Sequence, residues 1–187
     1  MSTEKNPMQA TKVITGRVRF SYVKVFEPEA VDGEDKKYSV SLLISKSDKS
    51  TIKAIRDAVA AATEAGRTSK FQGKIPASLK VPLRDGDDEK PDDEAYEGMY
   101  FLNLNASSKT KPSVINKKGE PITNPEEFYS GCYGKASVNF YAFNTSGNKG
   151  IACGLNNLLK LEDGESLGGR QSANDDFADD LDVNDLL

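Results

Sequence analysis

The stretch around residues 132–143, CYGKASVNFYAF, carries the clearest chemical pattern in the chain. It alternates with period two, as a strand does. One phase holds Cys132, Gly134, Ala136, Val138, Phe140 and Ala142, small or apolar residues suited to a packed interior. The other holds Tyr133, Lys135, Ser137, Asn139, Tyr141 and Phe143, where rings are interleaved with a base and amide or hydroxyl groups. Such a face suits a single-stranded nucleic acid, because bases stack on rings while cations follow phosphates. Arg17 and Arg19 fall on the non-apolar phase of an early strand and Phe101 on that of a later one, while Lys109 and Lys111 stand in the loop SSKTKPS. The candidate contacts are therefore Arg17, Arg19, Phe101, Lys109, Lys111, Tyr133, Lys135, Tyr141 and Phe143.

Net charge at first opposes that reading. The 187 residues include 25 Lys and Arg against 29 Asp and Glu, giving −4. The charge is unevenly placed, however. The final segment from Gln171 holds six acids and no base: Asp175, Asp176, Asp179, Asp180, Asp182 and Asp185. A second run, Asp85–Glu97, has eight acids against Lys90 alone. Without both segments 15 acids face 24 bases, so the remaining body carries +9, the sign a phosphate backbone requires.

Catalysis and metal binding find little support. The chain has no His, which removes the commonest general base and zinc ligand, and only two cysteines, Cys132 and Cys153. No cofactor is expected. Carboxylates in the Pro-containing run 85–97 lack the rigid placement of a calcium site or a Mg²⁺ nuclease. No apolar run approaches the ~20 residues of a membrane helix, and the N-terminus lacks a signal-peptide core. Two cysteines in such a chain fit a reducing, cytoplasmic setting.

These residues need strands to position them. Lys12–Phe26 reads as one long strand, with Ile14, Gly16, Val18, Phe20 and Tyr22 on the apolar face, Arg17, Arg19, Ser21 and Val23 on the other, and a bend at Gly16. A second strand over 36–45 turns Tyr38, Val40, Leu42 and Ile44 to one side. One helix follows, capped by Ser47 or Asp48, with Ile52, Ile55, Val59 and Ala62 at helical spacing and Gly66 as its stop. Short strands are expected at Leu79–Leu83 and from Met99, and a Lys-Gly turn within 114–122. The last hairpin turns near Gly147, setting Cys153 opposite about Phe140 and leaving both thiols unbridged. Many short strands and one helix predict a mainly β chain: an OB-fold-like small barrel over 12–163, containing the acidic loop 85–97. Residues 1–11 form a frayed start, and 164–187 a flexible linker and acidic tail.

Within that tail Phe177, Leu181, Leu186 and Leu187 are spaced among the aspartates. Apolar anchors in an acidic strip can dock on a basic, apolar groove of a partner, or lie over the chain's own basic face in place of DNA. The alternative for the whole protein is a DNA-mimicking interaction module that blocks another DNA-binding protein through its two acidic runs.

The sequence resembles the OB-fold single-stranded DNA-binding proteins of tailed bacteriophages. The blocks that carry the resemblance are GRVRFSYVKVFEP, KKYSVSLLISKSDKSTIKAIRDAV, PLRDGD, SSKTKPSVI, EFYSGCYGKASVNFYAF and GNKGIACGLNNLLKLEDGE, in order over roughly 12–167. The resemblance implies a non-enzymatic barrel that coats single-stranded DNA in phage replication and recombination, in the cytoplasm of the infected bacterium. It also implies an acidic terminus that recruits replication proteins and restrains DNA binding; a homodimer is compatible with it. The terminus departs from the pattern in ending in Leu186-Leu187 rather than an aromatic residue.

Overall fold

Apolar alternation builds eight strands: β1 (Lys12–Ile14), β2 (Val18–Glu29), β3 (Lys37–Ser45), β4 (Arg84–Asp85), β5 (Met99–Ser107), β6 (Ser113–Ile115), β7 (Tyr133–Thr145) and β8 (Asn148–Glu162). They belong to a computed structural model that describes residues 10–30, 33, 35–167, 177, 179 and 180. The sheet order is β1-β7-β2-β3-β5-β8-β6, and β7 also pairs with β8. Strands β2, β3, β5, β8 and β7 thus form a circuit. Two of its seams are short: β2–β7 has two register pairs and β5–β8 a single parallel one, Asn105 with Gly154. The result is mainly β with one main helix, a partly open barrel of the OB type rather than a cleanly closed one.

The circuit closes because each long strand turns apolar side chains inward. Phe20, Leu42, Ile44, Leu102, Leu104 and Val138 are buried in one core. Phe20 packs on Phe128 with ring centroids 4.8 Å apart, a tilted aromatic contact that adds to their area burial. Helix α1 (Lys49–Ser69) presses Ile52, Ile55, Ala58 and Ala62 into this core. The Asp48 side chain caps it by accepting from the Thr51 N–H at 3.1 Å. Gly66 is not its stop: the helix continues to Ser69, and Gly66 instead lets α1 approach Ala142, where a Cβ would lie 2.3 Å from the alanine methyl.

The final hairpin follows its expected register, with Phe140 opposite Cys153 and both cysteines free and buried. Burial pushes both thiols upward in pKa, which leaves them unreactive. Three expectations are corrected. The first long strand is interrupted between β1 and β2, so its phase slips: Val13 is buried while Ile14 is 70% exposed. Tyr22, assigned to the apolar face, is exposed at a β-bulge between Ser21 and Lys24. Leu79–Leu83 is not a strand; it contributes only a bridge from Lys80 to Gly150.

Candidate nucleic-acid interface

Alternation along β7 turns Tyr133, Lys135, Ser137, Asn139, Tyr141 and Phe143 away from the barrel interior, while Gly134, Ala136, Val138 and Phe140 are buried. At ~3.4 Å per residue the strand runs ~40 Å, long enough to carry several nucleotides. At its first end Tyr133 pairs across to Arg19 of β2. The Arg17 guanidinium stands 4.5 Å from the Tyr133 ring centroid and that of Arg19 5.3 Å, so two cations share one ring. At the other end Tyr141 is 47% exposed, and the half-buried Phe143 ring rests where a side chain at Gly150 would sit.

Lys135, Lys109 and Lys111 are exposed. Ser113 pairs with Asn157, itself opposite Ser137, so the loop bearing Lys109 and Lys111 opens two strands from β7. Both arginines already have partners. Arg17 forms an ion pair with Glu162, which raises its pKa. Arg19 donates from Nε to the Gly131 carbonyl at 3.0 Å and from a terminal nitrogen to the Glu165 carbonyl at 2.7 Å.

Phe101 does not join this surface. It points outward as expected but is only 2% exposed, beneath Tyr96, whose ring meets it edge-on at 5.2 Å, and beside Leu43. The cover comes from the acidic run, which is folded rather than a plain solvated loop. A one-turn helix over Gly86–Glu89 is capped by Asp85, and a 3₁₀ turn over Glu94–Tyr96 is capped by Asp93. Lys46 bridges Asp85 and Asp87 at 2.7 Å each, and Arg84 pairs with Glu89 at 2.6 Å.

Hydrogen bonds from Lys46 hold the Asp85 and Asp87 carboxyls below their ordinary range. Folded-state values below the unfolded ones mean that these contacts act fully above ~4 and are lost as pH falls through the folded values. Amide protection across 86–97, corrected for the slower intrinsic exchange in acid, is therefore expected to fall below about pH 4 before that of the β3–β5 ladder. Equal change in both regions, followed by mass spectrometry, contradicts this.

The chain after β8 is also held past the expected linker boundary. The Tyr129 hydroxyl donates to the Gly164 carbonyl at 2.9 Å and accepts from the Gly164 N–H at 3.1 Å. The Leu167 N–H donates to the Ser130 carbonyl at 2.8 Å, and Leu167 packs against the Leu43, Tyr96 and Phe101 cluster. Gly131 makes this possible: its φ is +120°, and a Cβ there would lie 2.1 Å from the Glu165 oxygen. Of the tail residues singled out in the sequence, Phe177, Asp179 and Asp180 are described; Phe177 is 56% exposed and accepts from the Asp180 N–H at 2.9 Å. Asp175, Asp176, Leu181, Asp182, Asp185, Leu186 and Leu187 lie outside the described residues. Sequence phase missed Tyr22, 54% exposed, with the Lys90 ammonium 5.8 Å from its ring centroid. Among the described residues no helix is long and apolar enough to cross a membrane.

A partly open β-barrel whose outer face carries rings, amides and unburied cations belongs to the class of oligonucleotide-binding folds. Residues 11–187 match the family described as Enterobacter phage Enc34, ssDNA-binding protein, and the chain belongs to that family. It is 32% identical over 177 residues to protein p50 of Acyrthosiphon pisum secondary endosymbiont phage 1, covering 91% of this chain and 94% of that one. Among solved structures it is similar to the single-stranded DNA-binding protein from bacteriophage Enc34 in complex with ssDNA, with TM-score 0.70 and 28% identity over 86% of this chain and 91% of that chain. It also shares the fold of gp2.5, a single-stranded DNA-binding protein encoded by bacteriophage T7, with TM-score 0.61 and 17% identity over 92% and 96% of the two chains.

Proposed function

We propose that this protein binds single-stranded DNA without marked sequence preference, coating it during phage replication and recombination in the cytoplasm of the infected bacterium. The observation that carries the reading is the family match across residues 11–187. The geometry supports it: the exposed Tyr141 offers a ring face, which accepts any base, and Tyr133 gathers the cations of Arg17 and Arg19 at the other end of the strand. Arg17, Arg19, Lys109, Lys111, Tyr133, Lys135, Tyr141 and Phe143 are the contacts on this reading; Phe101 is left out because it is buried. The protein itself performs no catalysis; its acidic tail recruits replication proteins and competes with DNA for the basic face.

Titrating fluorescent poly-dT with full-length protein and with a form lacking residues 171–187, at two salt concentrations, tests both parts. Full-length protein is expected to bind. The shortened form is expected to bind roughly tenfold more tightly at low salt, about 1.4 kcal/mol, and the difference is expected to shrink at high salt as screening grows. Equal affinities at low salt refute tail competition. Absence of any binding refutes the main reading and favours the DNA-mimic alternative.

A further inference from the structure

The segment 162–167, where the chain leaves β8, rests on the side chains at the first end of β7. Glu162 lies opposite Tyr133 in the strand register, and its carboxylate takes the Arg17 guanidinium that stands over the Tyr133 ring. At Gly164 the backbone passes so close to that ring that a Cβ would lie 2.7 Å from it, and 2.1 Å from the Gly131 carbonyl oxygen. The Glu165 and Gly131 carbonyls together fill one fork of the Arg19 guanidinium, at 2.7 and 3.0 Å. Arg17, Arg19 and Tyr133 are thus all engaged by one stretch of chain.

We propose that residues 162–167 form a strap that closes this end of the site in the free protein and opens when single-stranded DNA takes Arg17 and Arg19. The inference rests on the reading of the protein as a single-stranded DNA binder and adds what controls access to its cations. The strap's holds on the two arginines are ones a phosphate can replace. A phosphate oxygen substitutes for the Glu162 carboxylate on Arg17, and a bidentate phosphate fills the Arg19 fork in place of two carbonyls. The Arg17–Glu162 pair is about half exposed on both sides, so exchanging it costs little.

Other contacts hold the strap without using those arginines, and they bring it back. The Tyr129 hydroxyl grips both the N–H and the carbonyl of Gly164. Asp163 pairs with Lys160 at 2.6 Å. The Leu167 N–H bonds the Ser130 carbonyl, and its half-buried side chain packs on the Leu43, Tyr96 and Phe101 cluster. Residues 163–167 belong to no helix or strand, so the strap lifts without breaking a ladder. Opening and binding are then linked. A change that loosens the strap tightens DNA by the factor by which the open form gains population. Competition by the acidic tail acts through charge alone, whereas the strap also responds to uncharged contacts.

Amide exchange followed by NMR and fluorescence anisotropy with labelled oligo-dT test the strap in the full-length protein, using Glu162→Gln, Tyr129→Phe and Leu167→Ala. In the unaltered protein, saturating oligo-dT is expected to lower protection of the Gly164 and Leu167 amides roughly tenfold. Tyr129→Phe and Leu167→Ala leave the charge unchanged and are expected to tighten binding about 3- to 10-fold. Each gain is expected to match the protection lost at the other pin of the free variant: the Leu167 N–H in Tyr129→Phe, the Gly164 N–H in Leu167→Ala. Glu162→Gln is expected to tighten binding about 2- to 5-fold. Should Leu167→Ala lower the melting temperature, Tyr129→Phe, which keeps the ring, decides. If Glu162→Gln alone tightens binding, its charge acts by itself and the strap is refuted. Protection at Gly164 and Leu167 that stays unchanged or rises on binding also refutes it. If the unaltered protein binds no oligo-dT, the functional reading itself falls.

Discussion

Raising monovalent salt from about 50 to about 200 mM is expected to weaken oligonucleotide binding roughly 100-fold. Lys109, Lys111 and Lys135 are exposed and make no ion pair among the described residues. With Arg17 and Arg19, about five phosphates are neutralised on the proposed reading, and each releases counterions with a slope of ~0.7 on single strands. A fourfold change in salt then acts through an exponent of ~3.5. The arginines add less than their charge suggests, because Arg17 must leave Glu162 and Arg19 must leave two backbone carbonyls before either meets a phosphate. A slope near zero in a double-logarithmic plot, with binding intact, refutes a phosphate-led interface and leaves stacking alone.

Gly134→Ala is expected to destabilise the fold by about 3 kcal/mol or more, because no space exists for the added carbon. An ideal Cβ there lies 1.8 Å from the Leu159 carbonyl oxygen and 2.8 Å from the Phe20 ring. Neither neighbour can yield cheaply: the first is strand backbone and the second is a fully buried core ring. Gly134 also pairs with Val18 next to an irregularity in the β7–β8 ladder, where Tyr133 is brought against Arg19. Chemical denaturation reads the loss directly. Oligonucleotide affinity measured in the remaining folded fraction reports whether the arginine–tyrosine cluster moved with it. A midpoint unchanged from the parent protein refutes the steric account.

The sequence disclosed local order well and distant covering poorly. Phe140 opposite Cys153 was legible because one turn, near Gly147, sets the whole hairpin register. The outward phase of β7 followed from the same alternation. Phe101 was misjudged because its cover, Tyr96, arrives from a run whose eight acids suggest solvent, and whose ion pairs with Lys46 and Arg84 join separate elements. Tyr22 was misplaced because a bulge shifts phase by one residue without a sequence mark; no glycine or proline stands there. The early strand showed its bend through Gly16, but not that Ile14 would emerge into solvent on the far side of it. Positions fixed by strand period and a nearby turn could be read; those fixed by a partner remote in sequence could not.

One joint in the barrel has a mechanical consequence. The circuit is closed between β5 and β8 by the single pair Asn105–Gly154, far less than the nine register pairs of β3–β5. Breathing of the ring is then concentrated at this seam, while the long ladders β3–β5 and β7–β8 stay paired. On the reading that the protein binds single-stranded DNA, a strand that engages only the closed ring adds resistance to unfolding that grows as the logarithm of ligand excess over its dissociation constant.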